Sequence, residues 1–364
     1  MEHNTSQKRM LSQDIAKGLG MLVVVQLHGL QLSKEVFYPV AVLFSFVMPF
    51  YIFMAGYNYR SKGASPLQNM KKRVFMLLKV YVSWTIGVFI VMGLYFLIRK
   101  DGSLSEIMRS FAGSVFSESG CKMIGWQLPI SFFQHVLAPY WFLQYLITAS
   151  VIFYLLVDYA LRSFANTFSV VSLLSAITLL FVHFMIYLPW GLHCAPLLAA
   201  MMITGASLAK VRFLESTSKK GWLILNSLVC LILLTLIQLT YPSAGILGAG
   251  LLGETAGDIE VVLAMCFAVF GSYFLINLAK LLEKIPVLST GLIWLGQHSL
   301  IILCIHRPIA YIIRDCMGIP HFISGNPLYI DRMTPENVIA FLLIFIIMVP
   351  IILCADKMKK RARR

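Results

Sequence analysis

The chain has 364 residues, of which 59% are hydrophobic and only 13% are Asp, Glu, Lys or Arg. A soluble domain carries about a quarter charged residues, so this composition excludes a soluble enzyme, a disordered tail and a small disulfide-stapled module. The few charges are lopsided, 30 basic against 16 acidic for a net +14, which by itself fits nucleic acid, anionic lipid or membrane topology.

The order of segments separates these possibilities. A helix crossing the hydrocarbon needs about 20 mostly apolar residues, because its backbone polar groups must be satisfied within the segment. Ten such runs are predicted, near 14–32, 38–58, 74–98, 136–157, 168–188, 192–209, 221–241, 259–281, 288–313 and 337–355. The expected fold is an all-α polytopic membrane protein. A short segment 1–13 comes first, then a transmembrane domain over 14–355 with an outward loop 99–135, then a basic tail 356–364. Within that loop, 103–118 has helix-period apolar residues and suits either a helix on the membrane surface or a structured loop. Its expected use is to roof a site opening outward.

Basic residues fall in alternate connections. Lys8, Arg9, Arg60, Lys62, Lys71, Lys72, Arg73, Arg162, Lys210, Arg212, Lys219, Lys220, Lys280, Lys284 and the six of the tail lie on one side, 20 of the 30. The opposite connections hold Lys34, Arg99, Lys100, Arg109, Lys122, Arg314 and Arg332. Positive-inside bias therefore predicts both termini in the cytoplasm. No basic stripe with base-stacking aromatics occurs in a soluble segment, so nucleic acid is set aside. The seven cysteines are scattered without metal-ligand spacing, and no metal is expected.

Ionisable residues inside spans are costly and mark function by default. The first span holds Asp14, Lys17 and His28. Asp14 and Lys17 are three apart, close enough for an ion pair, and serve equally well as an interfacial anchor. Lys17 and His28 are eleven apart, about three turns or 16 Å along one face. Lys79 lies inside the third span; Lys72 and Arg73 precede it. His306 and Arg307 sit in the ninth span ahead of Pro308, where a kink would free carbonyls for Arg307 to satisfy. Tyr140 and Trp141 suit either a pocket wall or an interface belt. His183, His193 and His298 read as interfacial or structural.

The stretch from Arg9 to His28 resembles the opening of membrane acyltransferase family 3, in its fucose 4-O-acetylase-like branch: an aspartate, a basic residue and glycine, then an apolar run ending in histidine, with ten residues between the basic one and the histidine. Three later blocks are similar to that family: Phe46-Val-Met-Pro-Phe-Tyr-Ile-Phe-Met-Ala-Gly-Tyr57, Tyr140-Trp-Phe-Leu143, and Gly296-Gln-His-Ser to His306. Met76 and Val80 stand where the family has arginine and proline, and Leu27 and Ala55 where it has small residues and serine.

The resemblance implies an integral-membrane O-acyltransferase, with acetyl-CoA or another acyl-CoA as donor substrate and no permanently bound cofactor. The acceptor would be a carbohydrate or lipid-linked glycan of the cell envelope, and the location a bacterial cytoplasmic (inner) membrane. His28 would be catalytic, as general base or acyl-accepting nucleophile, with Asp14, Lys17, His306 and Arg307 in support. Lys17, Lys72, Arg73 and Lys79 would meet the donor phosphates, and Tyr140 and Trp141 would line the pocket. The alternative is a proton-coupled transporter or flippase using the same intramembrane His, Lys and Arg.

Overall fold

The computed structural model describes residues 11–30, 32–33, 46–60, 63, 65–99, 103–116, 141–215, 219–240, 258–319, 329–330 and 334–361. Thirteen α-helices order these residues: α1 (Leu11–Gly29), α2 (Val47–Tyr57), α3 (Pro66–Arg99), α4 (Leu104–Phe116), α5 (Trp141–Ala160), α6 (Phe164–His183) and α7 (Ala195–Lys210), then α8 (Lys220–Thr240), α9 (Asp258–Cys266), α10 (Ser272–Leu282), α11 (Pro286–Gln297), α12 (Ser299–Cys316) and α13 (Pro335–Arg361). A π turn, Phe267–Gly271, joins α9 to α10. Among the described residues the one strand ladder is a two-residue parallel pairing of β1 (Leu32–Ser33) with β2 (Tyr329–Ile330), which ties the chain after α1 to the chain before α13.

Among the described residues seven helical stretches can, by length and composition, cross a membrane, and eight if α11 and α12 count as one broken span. The expected ten adds α1 and α2. α1 is interrupted by Asp14, Lys17 and His28, and α2 has 11 residues, its predicted start at 38–45 lying outside the described residues. The ninth span is bent, though not at Pro308, where a kink would free carbonyls. α11 and α12 meet at 84°, with His298 between them, while α12 continues through Pro308 as a helix. The bend thus falls ten residues before the proline. Gln297 ends α11, and His298 leaves helical geometry while its backbone N–H still reaches the Trp294 and Leu295 carbonyls.

The core lies along α2, α5 and α7. α7 is buried on nearly every side, Ala195 to Ile203 without interruption. Two glycines let α2 and α7 touch backbone to backbone: a Cβ on Gly56 would stand 1.8 Å from the Met202 carbonyl oxygen, and one on Gly205 2.3 Å from that of Phe53. In lipid, where apolar surface gains nothing by leaving solvent, such close approach is the main source of helix association. Around this core, α3, α6, α8 and α13 expose apolar rows such as Ile90, Val91, Leu94 and Ile98, or Leu225, Leu228, Ile232 and Leu236. This is the lipid-facing perimeter of a membrane protein.

Candidate active site

α1 carries the polar residues that the sequence singles out, and it is held on several sides. It packs against α10, α11 and α12. Its contact with α11 is antiparallel and intimate. A Cβ on Gly18 would lie 2.1 Å from the Leu292 carbonyl oxygen, and one on Gly296 1.9 Å from that of Asp14. Glycine at this crossing sets the distance between the two backbones.

At the first end of α1, Asp14 is buried, and the Gln297 amide, 3.5 Å away, points at its carboxylate. Gln297 is the last residue before the bend, so the carboxylate and the break in the helix occupy one place. One turn later the Tyr51 hydroxyl donates to the Lys17 carbonyl at 2.6 Å, joining α2 to α1. Tyr51 also meets Phe142 edge-on, ring centroids 6.3 Å apart, and Phe142 adjoins Trp141. Trp141 is half-buried against Tyr145. Tyr140 lies outside the described residues.

At the other end, the His28 imidazole faces that of His306 on α12, with ring centroids 5.3 Å apart and planes at 35°. Residues 278 positions apart in sequence are thereby brought into one contact. His306 is buried, and its Nδ1 lies 2.9 Å from the Ile302 carbonyl oxygen. A carbonyl only accepts, so Nδ1 donates. Arg307 is near enough for its charge to act on both imidazoles. Behind His28, the absence of a side chain at Gly29 admits α13, since a Cβ there would meet an Ile344 methyl at 2.6 Å. Among the described residues no group of three or more His, Cys, Asp or Glu side chains is gathered to hold a metal ion.

The predicted donor cluster is divided. α3 turns its Leu77, Tyr81, Thr85, Val88 and Met92 face to the protein. At about 100° per residue, Arg73 falls near that face, whereas Lys72 and Lys79 share the opposite one. Arg73 is accordingly half-buried, within electrostatic reach of Tyr154, and Lys72 and Lys79 are exposed.

Three features escape sequence reasoning. Tyr51 acts through its hydroxyl on a backbone carbonyl, for which no residue pattern exists. Arg314, counted above among the outward connections, is buried inside α12, where Nη1 donates to Asn337 Oδ1 at 3.2 Å. Its neighbour Asp315 accepts from the Tyr95 hydroxyl and pairs with Arg99 at 3.2 Å, fastening α3 to α12. His193 is buried because the Pro189–Gly191 turn folds back over it, and the Leu188 amide donates to its Nδ1 at 3.2 Å. His298 is held as a structural residue, bracketed by the Trp294 carbonyl and Asp356 Oδ2, each 2.7 Å away.

The predicted surface segment is the helix α4, capped by Ser103 and Glu106. Backbone and hydroxyl hydrogen bonds from Ser103 hold the Glu106 carboxyl below its ordinary range. The Trp190 indole donates to the Val115 carbonyl at 2.8 Å, tying α4 to the Pro189–Gly191 turn. Tyr145, beside Trp141, fits under Gly191 in that turn.

An all-helical membrane protein with an interior pair of histidines and an adjoining arginine is the frame in which the comparison with known proteins falls. A family model described as an acyltransferase domain matches residues 11–356, nearly the whole chain. The chain belongs to membrane acyltransferase family 3, and it is a membrane acyltransferase. No curated protein and no solved structure matches it.

Proposed function

We propose that this acyltransferase moves an acetyl group from cytoplasmic acetyl-CoA to a hydroxyl of a cell-envelope glycan or lipid-linked sugar. Both termini then lie in the cytoplasm, the side the distribution of basic residues favours, and the membrane is a bacterial inner one. Acyl transfer from a thioester needs a group to take the hydroxyl proton, a stabiliser of the developing oxyanion and a pocket that excludes water. The observation that carries the reading is the meeting of His28, His306 and Arg307 in the interior. His28 is half-buried and so within reach of a substrate. A neutral imidazole, with an ordinary pKa of about 6.5, serves near neutral pH as base or as acyl-accepting nucleophile. Arg307 supplies the positive charge for the oxyanion. Asp14 and Lys17 support α1, and Lys17 with Arg73, the member of the α3 cluster turned toward the protein, meets the phosphates of the donor.

The test uses labelled acetyl-CoA with inverted membrane vesicles. His28→Ala is expected to abolish transfer of label to glycan while leaving membrane insertion intact. Unchanged transfer in that variant overturns the role of His28. Movement of a glycan across the vesicle without consumption of the thioester favours a transporter or flippase instead, a reading to which the broken α11–α12 pair lends some support.

A further inference from the structure

The His28–His306 pair is not symmetric. His306 is 1% exposed, and its ring is fixed by the hydrogen bond from Nδ1 to the Ile302 carbonyl, one turn back on its own helix. A neutral imidazole carries one N–H. With that proton on Nδ1, Nε2 presents a bare lone pair. This nitrogen is buried and has no hydrogen-bond partner among the described residues. An acceptor left unsatisfied inside a protein is costly, and each native instance calls for an explanation. An aliphatic side chain at 306 would have avoided the cost. The lone pair is oriented by the helix backbone itself, which cannot rotate away, and lies in the site that holds His28 and Arg307.

We propose that His306 is the proton-accepting base of the acyl-transfer step, acting through Nε2, with His28 beside it as the residue that substrate reaches. The inference rests on the acyltransferase reading above. As the acceptor oxygen bonds to the acyl carbon, its proton passes to Nε2. The bond from that carbon to the leaving atom breaks, and Nε2 returns the proton to the atom that leaves. That atom is the thiolate sulfur in direct transfer; if His28 carries the acyl group, His28 has first displaced the thiolate from the thioester and given it the imidazole N–H proton, and the atom that leaves in the second step is the His28 ring nitrogen. The net change is one thioester and one alcohol converted to one ester and one thiol. The Nδ1–H to carbonyl bond strengthens while His306 holds the second proton, because a charged donor makes the stronger bond.

Two substitutions separate this role from a structural one. In His306→Asn the amide nitrogen falls near Nδ1 and can keep the bond to Ile302, but nothing replaces Nε2. In His306→Gln the amide reaches the Nε2 position and the Ile302 bond is lost. Labelled acetyl-CoA is supplied to vesicles bearing the full chain, with monodispersity in detergent checked for each variant. A base at Nε2 predicts that kcat falls at least about 100-fold in both variants, with KM for acetyl-CoA little changed. Activity retained in His306→Asn and lost in His306→Gln assigns His306 a structural role and overturns the proposal.

A second measurement does not depend on activity. NMR of isotopically labelled histidine, assigned by loss of the signal in His306→Asn, is expected to show protonated Nδ1 and bare Nε2 at neutral pH. Protonation at Nε2 alone overturns the proposal. A wild-type protein that consumes no acyl-CoA overturns the acyltransferase reading and this step with it. An active wild type with active His306→Asn removes only the role of His306.

Discussion

The crossing of α1 and α11 offers the sharpest test of the packing described above. An alanine at 296 would place its Cβ 1.9 Å from the Asp14 carbonyl oxygen, and 3.0 Å from the Gly18 nitrogen. Carbon and oxygen normally approach to about 3.3 Å, so the two backbones must part by about 1.4 Å. Both obstructing atoms are backbone, and neither can swing aside as a side chain would. Overpacking of an interior costs about 1–3 kcal/mol, and a rigid obstruction belongs at the upper end of that range. Separation would also draw Gln297 from Asp14 and shift the helix that carries His28. Gly291→Ala is the control on the same helix: nothing lies within 4 Å of its Cβ, and alanine is worth about 0.8–1.0 kcal/mol over glycine in a helix interior. Unfolding by denaturing detergent, followed by circular dichroism, should show Gly296→Ala destabilised and Gly291→Ala unchanged or stabilised. Equal stability of the two variants would refute the assignment of this crossing as a backbone contact.

Three other perturbations follow from the same geometry. Removing His298 or Asp356 should each lower stability, and a double-mutant cycle by thermal unfolding should yield a coupling of about 0.5–3 kcal/mol between them, because they bond at 2.7 Å. Asn337→Leu takes the acceptor from the buried Arg314 guanidinium and should cost about 1–3 kcal/mol or more in the same unfolding assay, whereas the exposed Val338→Ala should cost little. The Glu106 carboxyl is held below its ordinary range by Ser103, so its contribution to the start of α4 is present above the unfolded pKa and is lost as pH falls through the lowered folded one. Protection factors of the first-turn amides of α4, corrected for the intrinsic exchange rate, should therefore fall once pH drops below the usual carboxylate range in wild type and already be low at neutral pH in Glu106→Ala.

Much of the helical plan was legible because span length and apolar runs are set by the bilayer, not by tertiary detail. The helices at 66–99, 141–160, 164–183 and 220–240 fall where the hydropathy places them. The polar face of α1 was equally legible, since Asp14, Lys17 and His28 stand against an otherwise apolar run. Nothing local told that His28 meets His306 rather than His183 or His193; the resemblance placed both in the same functional region, and the structure makes the contact. The bend was misplaced because a proline is the visible helix breaker. The 84° turn instead falls at Gln297-His298, held by side chains from Trp294 and α13 that no local pattern announces. Arg314 was read as a loop residue because the apolar run ends at Ile313. The helix runs on to Cys316, and an acceptor on α13 makes the burial tolerable. The donor cluster on α3 was read from spacing along the chain, and helical phase then sends Arg73 one way and the two lysines the other.

The antiparallel union of α1 with α11 has a consequence for how the molecule is made. α1 leaves the ribosome well before its closely packed partner α11, some 280 residues later in the chain, which at about 5–20 residues per second is a wait of roughly 15–55 s. Until then a helix bearing an aspartate, a lysine and a histidine has neither Gln297 nor the His306 imidazole to meet it. The nascent protein therefore depends on the insertion machinery, or on shelter beside α2, to keep its first helix from slipping back. Closure of the bundle by the last third of the chain is also the step that completes the histidine pair.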